Sequence, residues 1–200
     1  MKRIGVLDIQ GSVEEHFAAL EDACKNLSSA GKGSKKYEAV LVKNISDLDG
    51  VSGLIIPGGE STTIGKLLRR FGLREEIIKR ASKGDLAIWG TCAGAILIAK
   101  EIVGREQADS LGLMDISIER NAYGRQLDSF ETSIEFDGIG KIPAIFIRAP
   151  LIKKVGKGVV VLAKNEGEIV AAREGKFLAT TFHPEMTNDI GVHEYFVGMC

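Results

Sequence analysis

The stretch that decides the fold runs Asp85-Leu-Ala-Ile-Trp-Gly-Thr-Cys-Ala-Gly-Ala-Ile-Leu-Ile-Ala-Lys100. Its apolar run at residues 86–89 is too short for a helix and is bounded by glycines, which is typical of a buried strand. The alanine-rich run at residues 95–103 predicts a buried helix. Between them lies a Gly-x-Cys-x-Gly turn, the pattern of a nucleophile elbow in which Cys92 stands where hydrolases carry serine.

A nucleophile elbow places Cys92 at the tip of a tight turn. The flanking Gly90 and Gly94 let the two backbone arms approach each other closely. The helix N-terminus behind the sulfur offers free N–H groups and the positive end of a dipole, which favour a thiolate. The alternative is a cysteine buried at an ordinary strand–helix junction, and the turn alone leaves both interpretations open.

Length and composition indicate one soluble domain spanning residues 1–200, large enough to bury a core. The net charge of −1 gives no reason to expect a nucleic acid or a membrane as partner. The three cysteines Cys24, Cys92 and Cys200 have unrelated spacings, so neither a disulfide framework nor a zinc site is predicted. The basic start lacks the apolar core of a signal peptide, and no apolar run approaches the ~20 residues that span a bilayer. We therefore predict a cytoplasmic protein.

Strand-like and helical segments alternate through the first half of the chain. Strands are predicted at residues 3–9, 38–43, 51–56 and 86–89, with helices starting after Ser12, from Thr62 or Thr63 to Phe71, and at residues 74–83. Apolar, β-branched strands in such alternation predict a doubly wound α/β fold, a mostly parallel sheet with helices on both faces.

The second half changes character. Short strands separated by glycine turns are predicted at residues 114–119, 129–136, 142–147, 159–163, 169–173 and 177–181. With no clear helix between them, they predict an antiparallel, strand-rich addition to the sheet. A final helix is predicted at residues 189–199.

Two of the three histidines lie on predicted helices. Ser12 and Glu15 form a predicted capping box at the start of the first helix. His16 follows this box, and His193 lies in the last helix. Both imidazoles are predicted to be on the protein surface, which leaves the third histidine as the candidate base.

That histidine closes the last predicted strand in the sequence Thr181-Phe-His-Pro-Glu185. Pro184 favours extended geometry at His183. In an extended segment residues two apart share a face, so Glu185 could hold one imidazole nitrogen and leave the other for Cys92. A lone histidine at a strand end is more often structural, but a cysteine elbow in the same chain favours a catalytic triad.

An acyl-transfer site also needs donors for an oxyanion. One should be the backbone N–H of Ala93, the residue after the nucleophile. The candidate for the other is Pro57-Gly-Gly-Glu-Ser-Thr62, where paired glycines let amides approach a substrate. Losing one such donor typically costs ~3 kcal/mol. The alternative is a plain turn with a helix cap, whereas a phosphate loop is disfavoured because no Gly-Lys-Ser/Thr follows.

Taken together, these motifs resemble the class I (triad) glutamine amidotransferases. Within that family the chain is similar to the glutaminase subunits of pyridoxal 5′-phosphate synthases. The narrower resemblance rests on Leu7-Asp-Ile-Gln-Gly11, Glu60-Ser-Thr-Thr63, Glu119-Arg-Asn-Ala-Tyr-Gly-Arg-Gln126, Asp128-Ser-Phe130 and Phe146-Ile-Arg-Ala-Pro150. Two departures are Asp8, where the family usually has a small or apolar residue, and residues 28–36, which resemble an insertion.

The resemblance implies hydrolysis of L-glutamine to glutamate and ammonia, with the ammonia passed to a separate synthase subunit. Cys92 would attack the side-chain amide and form a thioester. His183 would protonate the departing ammonia and then activate water, and Glu185 would orient the imidazole. No metal and no organic cofactor is implied.

The resemblance also assigns substrate-binding positions: Gly59, Glu60, Ser61, Arg120, Ile147 and Arg148. Gly59 is implied as the second oxyanion donor, beside Ala93. A guanidinium such as that of Arg120 can clamp the carboxylate of a free amino acid, although spacing alone favours a surface ion pair. Gln10 is predicted to face either the synthase or the rim of the active site.

Three further expectations concern function. Because a Gly-Gly loop can flip a peptide, we predict low activity for the isolated chain. A glutaminase that supplies a different synthase, or a cysteine hydrolase of the same architecture, would keep the elbow, but the motifs at residues 120–126 and 146–150 disfavour both. A non-catalytic thiol sensor would need Cys92 alone, and the presence of His183 and Glu185 disfavours it.

Overall fold

The computed structural model describes residues 1–29, 36–104, 109–120 and 129–200. The strands in this part of the chain are β1 (Lys2–Leu7), β2 (Tyr37–Val42), β3 (Val51–Ile56), β4 (Ala87–Thr91), β5 (Ala99–Ile102), β6 (Met114–Glu119), β7 (Ser129–Phe136), β8 (Gly140–Ile147), β9 (Leu151–Val155), β10 (Val160–Asn165), β11 (Glu168–Glu174) and β12 (Phe177–Thr180). The α-helices are α1 (Val13–Ser29), α2 (Ser61–Arg70), α3 (Leu73–Ser82), α4 (Ala93–Ile98) and α5 (Gly191–Met199).

The strands form a sheet with a parallel half and an antiparallel half. The order β2-β1-β3-β4-β12 is parallel throughout, and it reverses direction beside β1, as doubly wound folds do. From β12 the sheet continues through β11, β10, β7 and β8 with antiparallel pairing. The predicted fold class, a doubly wound sheet with an antiparallel second half, is confirmed.

Alternate residues of the central strands point into two separate cores. Leu54 and Ile56 of β3 pack with α2, α3 and α4, whereas Ile55 packs on the opposite face with α1 and α5. In β4 the same alternation places Ile88 in the first core and Trp89 in the second. Because both faces are apolar, the strands show the near-continuous hydrophobic runs seen in the sequence.

The helix predicted at residues 95–103 is too long. Helix α4 ends at Ile98, and β5 then pairs with β6 in parallel, Ala99 opposite Met114 and Ile102 opposite Ile118. Apolar residues of this kind suit a helix or a strand, and pairing with a partner strand decides between them. The neighbouring β9, which the sequence did not predict, pairs with β6 and β11 in antiparallel fashion.

Two segments singled out in the sequence fall largely outside the described residues. Only residues 28, 29 and 36 of the suspected insertion are described, and only Glu119 and Arg120 of the motif at residues 119–126. None of the helices within the described ranges is long and apolar enough to cross a membrane.

Candidate active site

Cys92 lies in the turn between β4 and α4, at φ 48° and ψ −103°. A positive φ at a residue other than glycine is strained and costs of the order of 1–3 kcal/mol. The turn tolerates no side chain at its flanks, because a Cβ at Gly94 would collide with the carbonyl of Ile56, and one at Gly90 with the backbone of Gly94. This geometry is that of a nucleophile elbow, with the sulfur held at the carboxyl edge of the sheet.

The candidate base comes from the neighbouring strand. Because β12 pairs with β4 in parallel, the two strands end side by side, and the backbone N–H of Cys92 donates to the carbonyl of Thr180 at 2.9 Å. His183 follows β12, and its Nδ1 lies 2.7 Å from Glu185 Oε1. A proton on Nδ1 leaves Nε2 for the thiol, so the two side chains have the arrangement that their spacing predicted.

Electrostatics favour an ion pair between these two groups. Burial opposes the charge on His183, but hydrogen bonds with Cys92 and Glu185 outweigh it and raise the pKa of His183 to about 10. Burial likewise opposes the charge on Glu185, yet nearby His16 and the hydrogen bonds from His183 and Ser12 lower its pKa to about 2. At neutral pH the imidazole is therefore protonated and the carboxylate ionised, the environment in which a cysteine acts as a nucleophile.

A cavity of about 590 Å³ opens beside the sulfur. Its walls include every predicted site residue except Glu185: Cys92, His183, Gly59, Glu60, Ser61, Ala93, Arg120, Ile147 and Arg148. The loop at residues 57–60, here called the glycine loop, passes close to the reactive groups. A Cβ added to Gly58 would lie 2.5 Å from His183 Cε1 and 3.4 Å from the Cβ of Cys92. Residues from five separated segments thus meet around one space, and Glu185 contacts the imidazole from behind.

Glu60 joins the glycine loop to helix α2. Its carboxylate caps the helix by accepting the backbone N–H groups of Thr62 at 3.0 Å and Thr63 at 2.7 Å. The predicted start at Thr62 or Thr63 is therefore wrong, since the helix begins at Ser61 with Glu60 as its cap. Burial opposes the charge on Glu60, but a hydrogen bond from the Thr63 hydroxyl, together with those two backbone N–H groups, lowers its pKa to about 2. Its Oε1 also lies 3.3 Å from a guanidinium nitrogen of Arg120, so that side chain both forms an ion pair and lines the cavity.

Gln10 lies at the rim of this cavity and forms a hydrogen bond with the glycine loop. Its Oε1 accepts the backbone N–H of Glu60 at 2.9 Å, and it sits so close to Gly59 that a Cβ there would lie 2.5 Å from that oxygen. On the opposite wall, the carbonyl of Ile147 lies 4.0 Å from the sulfur of Cys92. The next residue, Arg148, adopts a φ of 44°.

The prediction that His16 and His193 lie on the surface is wrong, because both side chains have 0% exposure. His16 Nδ1 lies 3.0 Å from His193 Nε2, and its Nε2 lies 3.3 Å from Glu185 Oε2. Ser12, predicted as a helix cap, donates its hydroxyl to Glu185 Oε1 at 2.7 Å. The sequence offers one signal, since Ser12 and His16 are four residues apart at the start of the first helix and such residues share a face.

Burial also makes the histidine pair sensitive to acid. It lowers the pKa of His16 from 6.5 to about 4, with Glu185 opposing the shift, and it lowers the pKa of His193 well below its usual value. Both imidazoles are therefore neutral at physiological pH.

We expect the free energy of unfolding to decrease as the pH falls from 6.5 to about 4. In that window the unfolded chain binds a proton at His16 that the folded chain does not, so acid favours unfolding. At 1.36 kcal/mol per pKa unit, His16 alone accounts for about 3 kcal/mol. Urea denaturation across this range should therefore show a smaller decrease in the free energy of unfolding for His16→Gln than for the wild type. An equally steep decrease in that variant would contradict the lowered pKa of His16.

The described part of the chain holds no group of three or more His, Cys, Asp or Glu side chains placed to bind a metal ion. The groups at the cavity are instead a thiol, an imidazole, a carboxylate and backbone amides. Such a set can carry out acyl transfer through a covalent thioester.

Fold and site together define a class I glutamine amidotransferase: a doubly wound sheet with a cysteine elbow on one strand and a His–Glu pair after the next. A model of the SNO glutamine amidotransferase family matches residues 6–200. The chain belongs to this family.

Individual relatives agree with this assignment. The chain is 50% identical over 198 residues to the pyridoxal 5′-phosphate synthase subunit PdxT of Niallia circulans, covering 98% of this chain and 97% of the relative. It is 46% identical over 194 residues to the PdxT of Thermus thermophilus, covering 97% and 95%. A crystal structure of a glutamine amidotransferase superposes with a TM-score of 0.87 at 46% identity, covering 98% of this chain and 97% of that one. The resemblance inferred from sequence motifs is confirmed.

Proposed function

We propose that residues 1–200 act as a single glutaminase domain, the ammonia-producing subunit of a cytoplasmic pyridoxal 5′-phosphate synthase. The observation that carries the proposal is the contact of His183 with both Cys92 and Glu185. This triad lies at a cavity lined by Gly59, Arg120 and the other predicted substrate-binding residues. Curated relatives that match almost the whole chain bear the name of a subunit of that synthase.

The first half-reaction forms a thioester. The sulfur of Cys92 attacks the side-chain amide carbon of L-glutamine, and the carbonyl oxygen becomes an oxyanion. The backbone N–H groups of Ala93 and Gly59 stabilise that charge. The C–N bond then breaks, and protonated His183 supplies the proton with which ammonia leaves.

The second half-reaction releases glutamate. His183, now neutral, takes a proton from water, and the hydroxide attacks the thioester carbon. The C–S bond breaks and the sulfur of Cys92 leaves as a thiolate beside the imidazolium. Glu185 keeps the proton on Nδ1 throughout, so that Nε2 faces the reaction in both halves.

Glutamine itself is recognised at the mouth of the cavity. The guanidinium of Arg120 lies in the cavity wall and can bind the α-carboxylate of a free amino acid. The carboxylate of Glu60 can bind the α-ammonium group. These two side chains pair with each other at 3.3 Å. Gly59, Ser61, Ile147 and Arg148 complete the proposed binding positions.

We expect ammonia release from L-glutamine to be slow for the isolated chain and to rise sharply when the cognate synthase subunit is added. The reason is that the Gly58–Gly59 peptide can flip, so an oxyanion donor becomes fixed only when a partner packs against the loop. The measurement is the rate of ammonia release with and without the synthase. No release in either mixture, from folded protein, would overturn the proposed function and favour a thiol sensor.

A further inference from the structure

A pair of imidazoles lies behind the proposed triad. His16 on α1 and His193 on α5 are fully buried, and their rings make a 3.0 Å contact between Nδ1 of the first and Nε2 of the second. The same two rings pack against Trp89 of β4, with ring centroids 5.4 and 4.8 Å from the indole. The pair thus lies where helices α1 and α5 pack against β4, the strand that leads to Cys92.

The two oxygens of Glu185 face different partners. Oε1 accepts hydrogen bonds from Ser12 Oγ and from His183 Nδ1, both at 2.7 Å. Oε2 accepts no hydrogen bond from the described residues, and the nitrogen beside it is His16 Nε2 at 3.3 Å. The side chain of Glu185 is fully buried, so the orientation of the carboxylate depends on these neighbours rather than on water.

The contacts of His16 select one tautomer of its ring. Nε2 lies 3.0 Å from Thr91 Oγ1 as well as 3.3 Å from the carboxylate. An unprotonated Nε2 would direct its lone pair at an anion, whereas an Nε2–H is attracted to the carboxylate and can donate to the hydroxyl. The neutral ring then accepts a hydrogen bond at Nδ1.

His193 supplies the matching donor. If its Nε2 carries the proton and donates to His16 Nδ1, its own Nδ1 is left as an acceptor. That nitrogen has no hydrogen-bond partner among the residues that the structure describes. A buried acceptor without a partner is better tolerated than a buried N–H without one, so the tautomer that suits His16 also suits His193.

We propose that His16 is a positioning residue for glutamine hydrolysis: as a neutral Nε2–H imidazole fixed by His193, it restrains both Glu185 and Thr91, the residue before the nucleophile. The inference rests on the proposed function. His16 lies behind Glu185 and does not line the substrate cavity. Its removal should therefore lower kcat and leave KM unchanged.

The test compares His16→Leu, which removes the donor, with His16→Gln, whose amide can place an N–H near the position of Nε2. Cys24→Ala is the matched control, since it removes another buried group from the same helix outside this network. Ammonia release is measured with the synthase subunit present, and the wild type and Cys92→Ala are run in the same assay. Wild type that releases no ammonia would refute the proposed function rather than the role of His16.

The expected result is a kcat lower by roughly 10- to 100-fold in His16→Leu, because a small misplacement of a catalytic group can cost ~10²-fold. His16→Gln should recover most of that loss, and Cys24→Ala should retain the kcat of the wild type. Equal kcat in folded His16→Leu and wild type would overturn the proposal, as would an equal loss in His16→Leu and His16→Gln.

A second measurement does not depend on the variants folding. The ¹⁵N chemical shifts of the imidazole nitrogens distinguish the two neutral tautomers. In wild-type protein they should show His16 protonated at Nε2 alone at neutral pH. A His16 ring protonated at Nδ1 alone, or at both nitrogens, would overturn the proposal.

Discussion

Replacing Cys92 with alanine is expected to abolish glutamine hydrolysis, with kcat lower by on the order of 10⁴-fold or more. The oxyanion donors and the cavity remain in this variant, but no group is left to form the thioester. The measurement is ammonia release in the presence of the synthase subunit, with Cys24→Ala as the control that should remain active.

Chemical labelling tests the same assignment. Burial, with a smaller contribution from Glu21, raises the pKa of Cys24 to about 11, and burial raises the pKa of Cys200 to about 12. Neither thiol is therefore a nucleophile at neutral pH. A glutamine analogue carrying an electrophile should modify Cys92 alone, and free glutamine should protect it. Modification of Cys24 or Cys200 at a similar rate would contradict a dedicated glutamine site.

Replacing Glu185 with glutamine should lower kcat by about 10³- to 10⁴-fold. The glutamine amide can present its NH₂ group to His183 Nδ1, which then accepts instead of donating. The proton of the neutral ring moves to Nε2, where it faces Cys92 and prevents the imidazole from acting as a base. The variant also removes the anion that helps to hold the pKa of His183 at about 10, so the alkaline limb of the pH–rate profile should move to lower pH.

The control for this experiment is Glu135→Gln, which makes the same chemical change on an exposed position of β7. It should leave both kcat and the pH profile unchanged. Activity close to that of the wild type in Glu185→Gln would exclude a role for the carboxylate in fixing the tautomer. An unchanged pH profile despite low activity would instead exclude its electrostatic role.

The sequence predicted those parts of the fold that depend on local patterns. Strands β3, β6 and β7 have the predicted bounds, because turn residues and glycines delimit each apolar run. The elbow was predicted because its backbone geometry requires glycines at fixed spacing around Cys92. The His183-Pro-Glu185 pair followed in the same way from the period of an extended chain.

What the sequence did not predict depends on contacts between distant segments. His16 and His193 are 177 residues apart, and each was assigned to the surface because a polar side chain on a helix is usually exposed. Their burial becomes favourable only when each ring satisfies the other. Strand β5 was missed for a related reason, since its apolar residues become a strand only by pairing with β6.

The pairing of β4 with β12 links catalysis to the completion of folding. These strands bring together segments that are far apart in sequence, and closing so long a loop is a slow, entropically costly event. A chain still emerging from the ribosome can form its first parallel strands and its elbow, but it does not yet contain His183. A molecule in which β12 has separated from β4 keeps the Cys92 thiol but cannot hydrolyse glutamine. Ammonia is therefore produced only by molecules in which β12 has paired with β4.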